Sequence, residues 1–561
     1  MVVQGCISRL PWHLRERLRV VSSGGHNKQP EQQLAGCSPM ILYWMRANTL
    51  RTHENPALDV AVHVALEVGA PLLVALHIED QYPNATARRQ LFLLQGAAEV
   101  LTELEEAGFS ACALIDRDGA RGWSSLKQLA DMCQLVVTDE PFCTPLIAGL
   151  DHFRTIMSPH TPMWAVDTAS VVPSALVPVG ACHRAYTFEQ ATRDLQAERL
   201  GMEWPAATKG QLPLQVGSEV CKAFSSVAVD LRTAARLDSI VQEMDVDHSV
   251  RPVSHTVGGS SKGYRRWESW VSSGGLKTYA QRRNDALDHQ GVSRLSAYLN
   301  AGMVSPMRIA RETANARGAG KSKFLHEFLT WRGVSYAFCY HFPMPAAGPT
   351  LAQLPSWSQD TLRRHAHERR SDMPIDKMAA AATGNAAWDG MQLYLRETGE
   401  LHNNARMGWG KAIAKWAATP EQAIEALVVL NNRYALDGHA PPSYGGLLGC
   451  LGLFEGQKRE DSILGKVAFK PPKPKYSALA LQVQRLTSTG LSVQRHPVVD
   501  IQPSDYKDSQ ASAGAAQVSV PDVQARQQEE AGSEKENSCV QSSQQRPAKR
   551  RWAARSLKGS S

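Results

Sequence analysis

Nowhere in these 561 residues do 18 apolar residues run together, so no membrane-spanning helix is predicted. No Cys-x-x-Cys pair occurs. The ten cysteines, at 6, 37, 112, 133, 143, 182, 221, 339, 450 and 539, fall into no repeating spacing with histidine. That argues against structural zinc or iron–sulfur sites, predicts no metal, and reads as reduced thiols in an intracellular protein. The first 23 residues are basic, with Glu16 their only acid, and lack the apolar stretch of a secretory signal. A leader running into an edge segment is expected there, with an organellar transit peptide as the alternative. No Gly-x-Gly-x-x-Gly follows the first strand-like run, which argues against an NAD-type Rossmann domain. Tryptophan, by contrast, is plentiful at 13 residues, most of which core packing would absorb.

Apolar runs at 39–45, 71–78, 109–116, 134–140 and 163–173 read as strands. They alternate with helix-like stretches at 55–69, 85–108 and 124–133. This alternation predicts a parallel sheet covered by helices on both faces. From 264 the pattern changes to helix after helix, at 306–317, 322–340, 357–370, 386–398, 405–416 and 419–430. The expected fold class is therefore an α/β Rossmann-like domain, then an all-α domain, then a disordered tail. The expected boundaries are leader and linker 1–36, α/β domain 37–178, connector 179–263, helical domain 264–465 and basic, mostly disordered tail 466–561. Within the connector, VSHTVGGSSKG (253–263) reads as a mobile link. The formal charge is +7, and part of the excess sits in RPAKRRWAARSLK (546–558), either a solvated tail or a nuclear signal or nucleic-acid tether.

Three features of the helical part could carry chemistry. Trp388, Trp409 and Trp416 are spaced by 21 and 7 residues, the last two about two turns apart on one face. They are either core aromatics or a chain for electron hopping. Glu327 and Trp331 in HEFLTWRG are i,i+4 neighbours, while Arg332 is set off by about 100°. ELHNNARMGWGKAIAKW (400–416) sets amides, Arg406 and Lys411 in an apolar helix. Such groups need partners, from a polar cofactor or from an inter-helix network.

Over roughly 37–465 the sequence resembles the photolyase/cryptochrome family, most closely the class II cyclobutane pyrimidine dimer photolyases. The likeness rests on YWMR (43–46), RRNDALDHQGVSRLSAYLNAGMVSP (282–306), FLHEFLTWR (324–332), WDGMQLYLRETGELHNNARMGWGKAIAKW (388–416) and LNNRYALDG (430–438). The resemblance implies FAD in the helical domain, with Tyr279, Ser293, Leu295, Ser296, Arg332, Arg406, Asn431 and Asp437 around it. It implies electron transfer through Trp409, Trp388 and Trp416, in that order outwards from the flavin. Glu327, Trp331, Asn403 and Met407 match the substrate cavity, where a flipped-out dimer would lie. A deazaflavin- or folate-type antenna in the N-terminal domain is left open.

The sequence also departs from the family pattern. Gly449 stands where a second substrate tryptophan belongs, Gly333 where a glutamate follows the WR pair, and LSAYLNAG carries Ala297, Asn300 and Ala301. Two functions follow: light-driven repair of cyclobutane dimers in DNA, or a cryptochrome-like blue-light receptor using the same flavin and tryptophans. The expected partners are damaged DNA and, through the tail, signalling proteins. No membrane association is expected, and the chain should be monomeric and located in the nucleus or else an organelle.

Overall fold

Five of the six strands have the parallel order expected of βαβ units. The computed structural model describes residues 5–24, 40–116, 121–205, 212–217, 220, 228–368 and 370–488. Strands β1 (Leu18–Ser22), β2 (Met40–Met45), β3 (Leu72–Ile78), β4 (Ser110–Ile115), β5 (Cys133–Asp139) and β6 (Met163–Val166) form one sheet of order β1-β6-β5-β2-β3-β4. Only β1 is antiparallel, pairing Leu18 with Val166 and Arg19 with Ala165. Central strands β2 and β3 are buried at every position. Their side chains alternate between two cores: Ile41, Tyr43, Met45, Val74 and Leu76 on one face, Met40, Leu42, Trp44, Leu73 and Ala75 on the other.

The helices begin where capping residues stand. Asn55 accepts from the Ala57 and Leu58 amides ahead of helix Pro56–Val68, and Gly69 ends it at φ 63°. Thr86 caps Ala87–Glu106, Asn385 caps Ala386–Thr398, and Thr419 caps Pro420–Tyr434. Helices Asn403–Trp416 and Pro441–Gly449 complete the walls around the site. Among the described residues no helix is long and apolar enough to cross a membrane, and no metal-ligating cluster occurs.

Residues 18–22 are the edge segment into which the leader runs, a strand registered by Arg19 pairing with Glu140 at 2.7 Å. Two expectations are corrected. The stretch 253–263 is no mobile link. A Cβ at Gly258 would strike the Phe92 carbonyl, so glycine there permits close backbone approach. Within the expected connector, Ala185–Leu200, Ala234–Glu243 and the start of Ser260–Ser272 are helical. Finally, the folded chain runs past 465. A turn at Pro474–Ser477 leads into helix Ala478–Ser488, with Tyr476, Leu479 and Val483 buried against Ala386–Thr398. Most of the expected linker 23–36, and the tail from 489 onward, lie outside the described residues.

Candidate functional site

The helix carrying Glu327 changes its pitch at that residue. Lys321–His326 is α-helical, Glu327–Arg332 is a π-helical turn, and Gly333–His341 is α-helical again. The i→i+5 bonding widens the turn. Arg332 therefore does not point away from its neighbours, as regular helical spacing predicts. Glu327, Trp331 and Arg332 all line one cavity of about 650 Å³. Gly333, which stands in place of the glutamate, is in tight contact: its Cβ would come within 2.6 Å of the Phe188 ring.

The cavity collects residues that the sequence holds far apart. Tyr279, Ser293, Leu295, Ser296, Asn403, Arg406, Met407 and Asp437 line it together with Glu327, Trp331 and Arg332. Trp331 is 43% exposed, so this wall meets solvent. The volume is that of a cleft able to bury a ligand larger than a single ring system, within the usual range of about 300–1,000 Å³.

Its electrostatics are set by paired charges. Glu327 is held by Arg283 at 2.7 Å and Lys323 at 2.5 Å. Arg406 donates to Asp437 at 2.9 Å while its Nε has no partner. Arg332 donates to the Ala169 carbonyl at 2.9 Å and stacks over Tyr336. Burial would raise the Glu400 carboxyl, but Arg294, Arg266 and His255 outweigh it and hold the group at about 2. Burial, with Arg283 and Arg406 close by, lowers His402 to about 4, so the ring is neutral at pH 7.

Four of the expected site residues are not on the cavity wall. Asn431 is fully buried behind Ser443, to whose hydroxyl it donates at 2.9 Å, and its Oδ1 has no partner. The three tryptophans are in contact with one another. Trp409 and Trp388 stack at 6.0 Å and 8°, and Trp388 meets the half-buried Trp416 edge-on at 5.5 Å. The spatial order is therefore Trp409, Trp388, Trp416. Hydrogen bonds hold the inner two, Trp409 to Gln392 and Trp388 to the Trp409 carbonyl.

Several lining residues escaped the sequence reading: Arg283, His289, Arg294, Tyr394, Glu400 and Leu479. The Lys323–Glu327 pair was visible as an i,i+4 spacing. Arg283 was not, because only the tertiary fold brings it to Glu327.

No protein-family model matches the chain. It is 27% identical over 431 residues to the deoxyribodipyrimidine photo-lyase of Methanothermobacter thermautotrophicus, covering 76% of this chain and 90% of that relative. It is 25% identical over 462 residues to the enzyme of the same name from Arabidopsis thaliana, covering 81% and 88%. Among solved structures, the cryptochrome of Synechocystis sp. PCC6803 superposes with a TM-score of 0.57 at 14% identity, covering 89% of this chain and all of that one. An archaeal photolyase from Sulfolobus tokodaii with two FAD molecules superposes at 0.56 and 12%, again over 89% and all. At those identities the structural likeness speaks for the fold.

Proposed function

We propose, since this chain belongs to the photolyase/cryptochrome family, that it is a light-driven repair enzyme for cyclobutane pyrimidine dimers in DNA, of the class II kind. The observation that carries this reading is a single cavity wall joining Glu327 and Trp331 to Arg332, Arg406 and Asp437. FAD suits this cavity. On its wall the unpartnered Arg406 Nε is a donor for a ring carbonyl or phosphate. Tyr279, Ser293 and Ser296 would hold the diphosphate by their hydroxyls, with the Leu295 backbone beside them. Bound there, a reduced flavin supplies the photoexcited electron that opens the dimer ring.

The chain's own residues do the rest. Glu327, held in place by Arg283 and Lys323, presents a carboxylate to the flipped-out bases. Trp331 offers an exposed aromatic face for a base to stack on, and Asn403 and Met407 border the same space. Trp409, Trp388 and Trp416 carry electrons inwards when the cofactor is oxidised.

An antenna pigment would belong in the N-terminal domain. There Trp44, His77 and Trp123 cluster, and Trp44 Nε1 and His77 Nδ1 are buried donors or acceptors without partners. The basic end of the tail, 546–558, supports a nuclear location.

Gly449 favours a second reading, a blue-light receptor. It lines the cavity where a second stacking surface would be expected, and has no side chain to offer one. The two readings separate in one assay: the purified protein, with flavin reduced beforehand, on thymine-dimer DNA in blue light and in the dark. Light-dependent loss of dimers is expected. Intact dimers after illumination, with reduced flavin bound, overturn the repair reading and leave the receptor.

A further inference from the structure

A hydrogen-bonded relay on the cavity wall has no part in the roles above. Tyr394 and His289 both line the cavity, their rings 20° from parallel with centroids 5.6 Å apart. Tyr394 Oη lies 3.3 Å from His289 Nδ1. The sense of this bond is set from the C-terminal helix. Gln482 Nε2 donates to the Leu287 carbonyl at 3.3 Å, which turns Gln482 Oε1 to His289 Nε2 at 2.8 Å. An amide oxygen only accepts, so Nε2 carries the hydrogen. In a neutral imidazole Nδ1 is then the acceptor, and the Tyr394 phenol donates to it.

Burial pushes that phenol up to about 12, so it is protonated near neutral pH and needs a base to take its proton if it loses an electron. Tyr394 also shares helix Ala386–Thr398 with Trp388, six residues on and about 9 Å along the axis.

We propose that Tyr394 and His289 form a proton-coupled electron donor to oxidised Trp388. Tyr394 gives one electron to the Trp388 radical cation and its phenolic proton to His289 Nδ1. The products are a neutral tyrosyl radical, an imidazolium and a restored indole. Charge return then requires the proton to move back as well, which prolongs the separated state. Gln482 is a positioning residue, acting through the tautomer it imposes. The inference rests on the reading of the tryptophans as a photoreduction chain.

The test is electron paramagnetic resonance of the full-length protein and its Trp416→Phe variant, frozen under blue light, with flavin content measured on the same samples. A tyrosyl signal is expected that narrows with ring-deuterated tyrosine and disappears in Tyr394→Phe while a tryptophan radical persists. Its formation should slow by about 100-fold in His289→Gln, the lower range for a positioned proton acceptor. Gln482→Leu should slow it too, at unchanged flavin content. Bound flavin and a tryptophan radical without a tyrosyl signal, or with one that survives Tyr394→Phe, overturn the Tyr394 assignment alone. Protein that takes up no flavin overturns the reading of the cavity, and the relay with it.

Discussion

Trp409 and Gly449 are the residues at which photoreduction and dimer recognition can be tested separately. Trp409 is fully buried, stacked on Trp388 and hydrogen-bonded to Gln392. Trp409→Phe keeps an aromatic in the core but removes the readily oxidised indole. Flavin should stay bound, while photoreduction of its oxidised form slows by about 100-fold, equivalent to roughly 3 kcal/mol of barrier. Time-resolved absorption under blue light checks this, and unchanged photoreduction would exclude the chain. At Gly449 a Cβ would meet nothing within 4 Å, so a larger side chain can enter the cavity. A stacking surface is worth about 1–3 kcal/mol per base, so Gly449→Trp should tighten binding of dimer-containing oligonucleotides by roughly 5- to 150-fold. A titration against undamaged oligonucleotide measures it. Equal affinities for Gly449→Trp and wild type would mean that base stacking is not served from this position.

Among the elements, the π-helical turn and the C-terminal helix shape the cavity most. The turn brings Arg332 onto the wall with Glu327 and Trp331, and Gly333 lets Phe188 pack beside it. Helix Ala478–Ser488 adds Leu479 to the lining and Gln482 to the His289 ring. Its docking depends on Gly390, where a Cβ would come within 2.7 Å of the Tyr476 carbonyl and 3.1 Å of Ser477 Cα. These are backbone atoms with little freedom to give way. Gly390→Ala should therefore destabilise the protein by about 1–3 kcal/mol, as overpacked cores do. Hydrogen exchange should rise first within 474–488. Protection there equal to wild type would show that the helix is held elsewhere.

At the scale of the whole molecule, arginines tie the sheet-bearing part to the helical part through backbone carbonyls. Arg88 donates to the carbonyls of Arg251, Tyr434 and Arg396, and Arg51 to those of Thr168 and Gly302. The Glu400 cluster adds a pH-dependent element. Arg294, Arg266 and His255 around it hold its carboxyl at about 2, against an ordinary 4.5. A carboxyl depressed by folding stabilises the protein above its unfolded value, and that contribution is lost as pH falls through the folded one. The stability gap between wild type and Glu400→Gln should be fullest above about pH 5 and narrow steadily towards about pH 2. Denaturant midpoints across that range test it, and a gap independent of pH would remove Glu400 from the balance.

The sequence by itself determined the α/β-then-α order, because period-2 and period-3.6 patterns and capping residues are local. Helix 386–398 was read to the residue, and β2 to within one. It also determined the motif residues, eleven of which line one cavity. Tertiary structure alone decided the rest, since these features depend on contacts between distant segments. Strand β1 is half-buried and becomes a strand only by pairing with β6. The glycines at 258 and 259 read as a flexible link until Phe92 and Glu99 pack against them. Residues 474–488 lie in a basic stretch that reads as tail, and they order by burying Tyr476 and Val483 on a helix nearly a hundred residues earlier. The pairing of Glu327 with Arg283, of Tyr394 with His289 and of His289 with Gln482 has no signature along the chain. Hydrogen bonds and ion pairs act over a few ångströms, and only the closed fold brings those atoms that near.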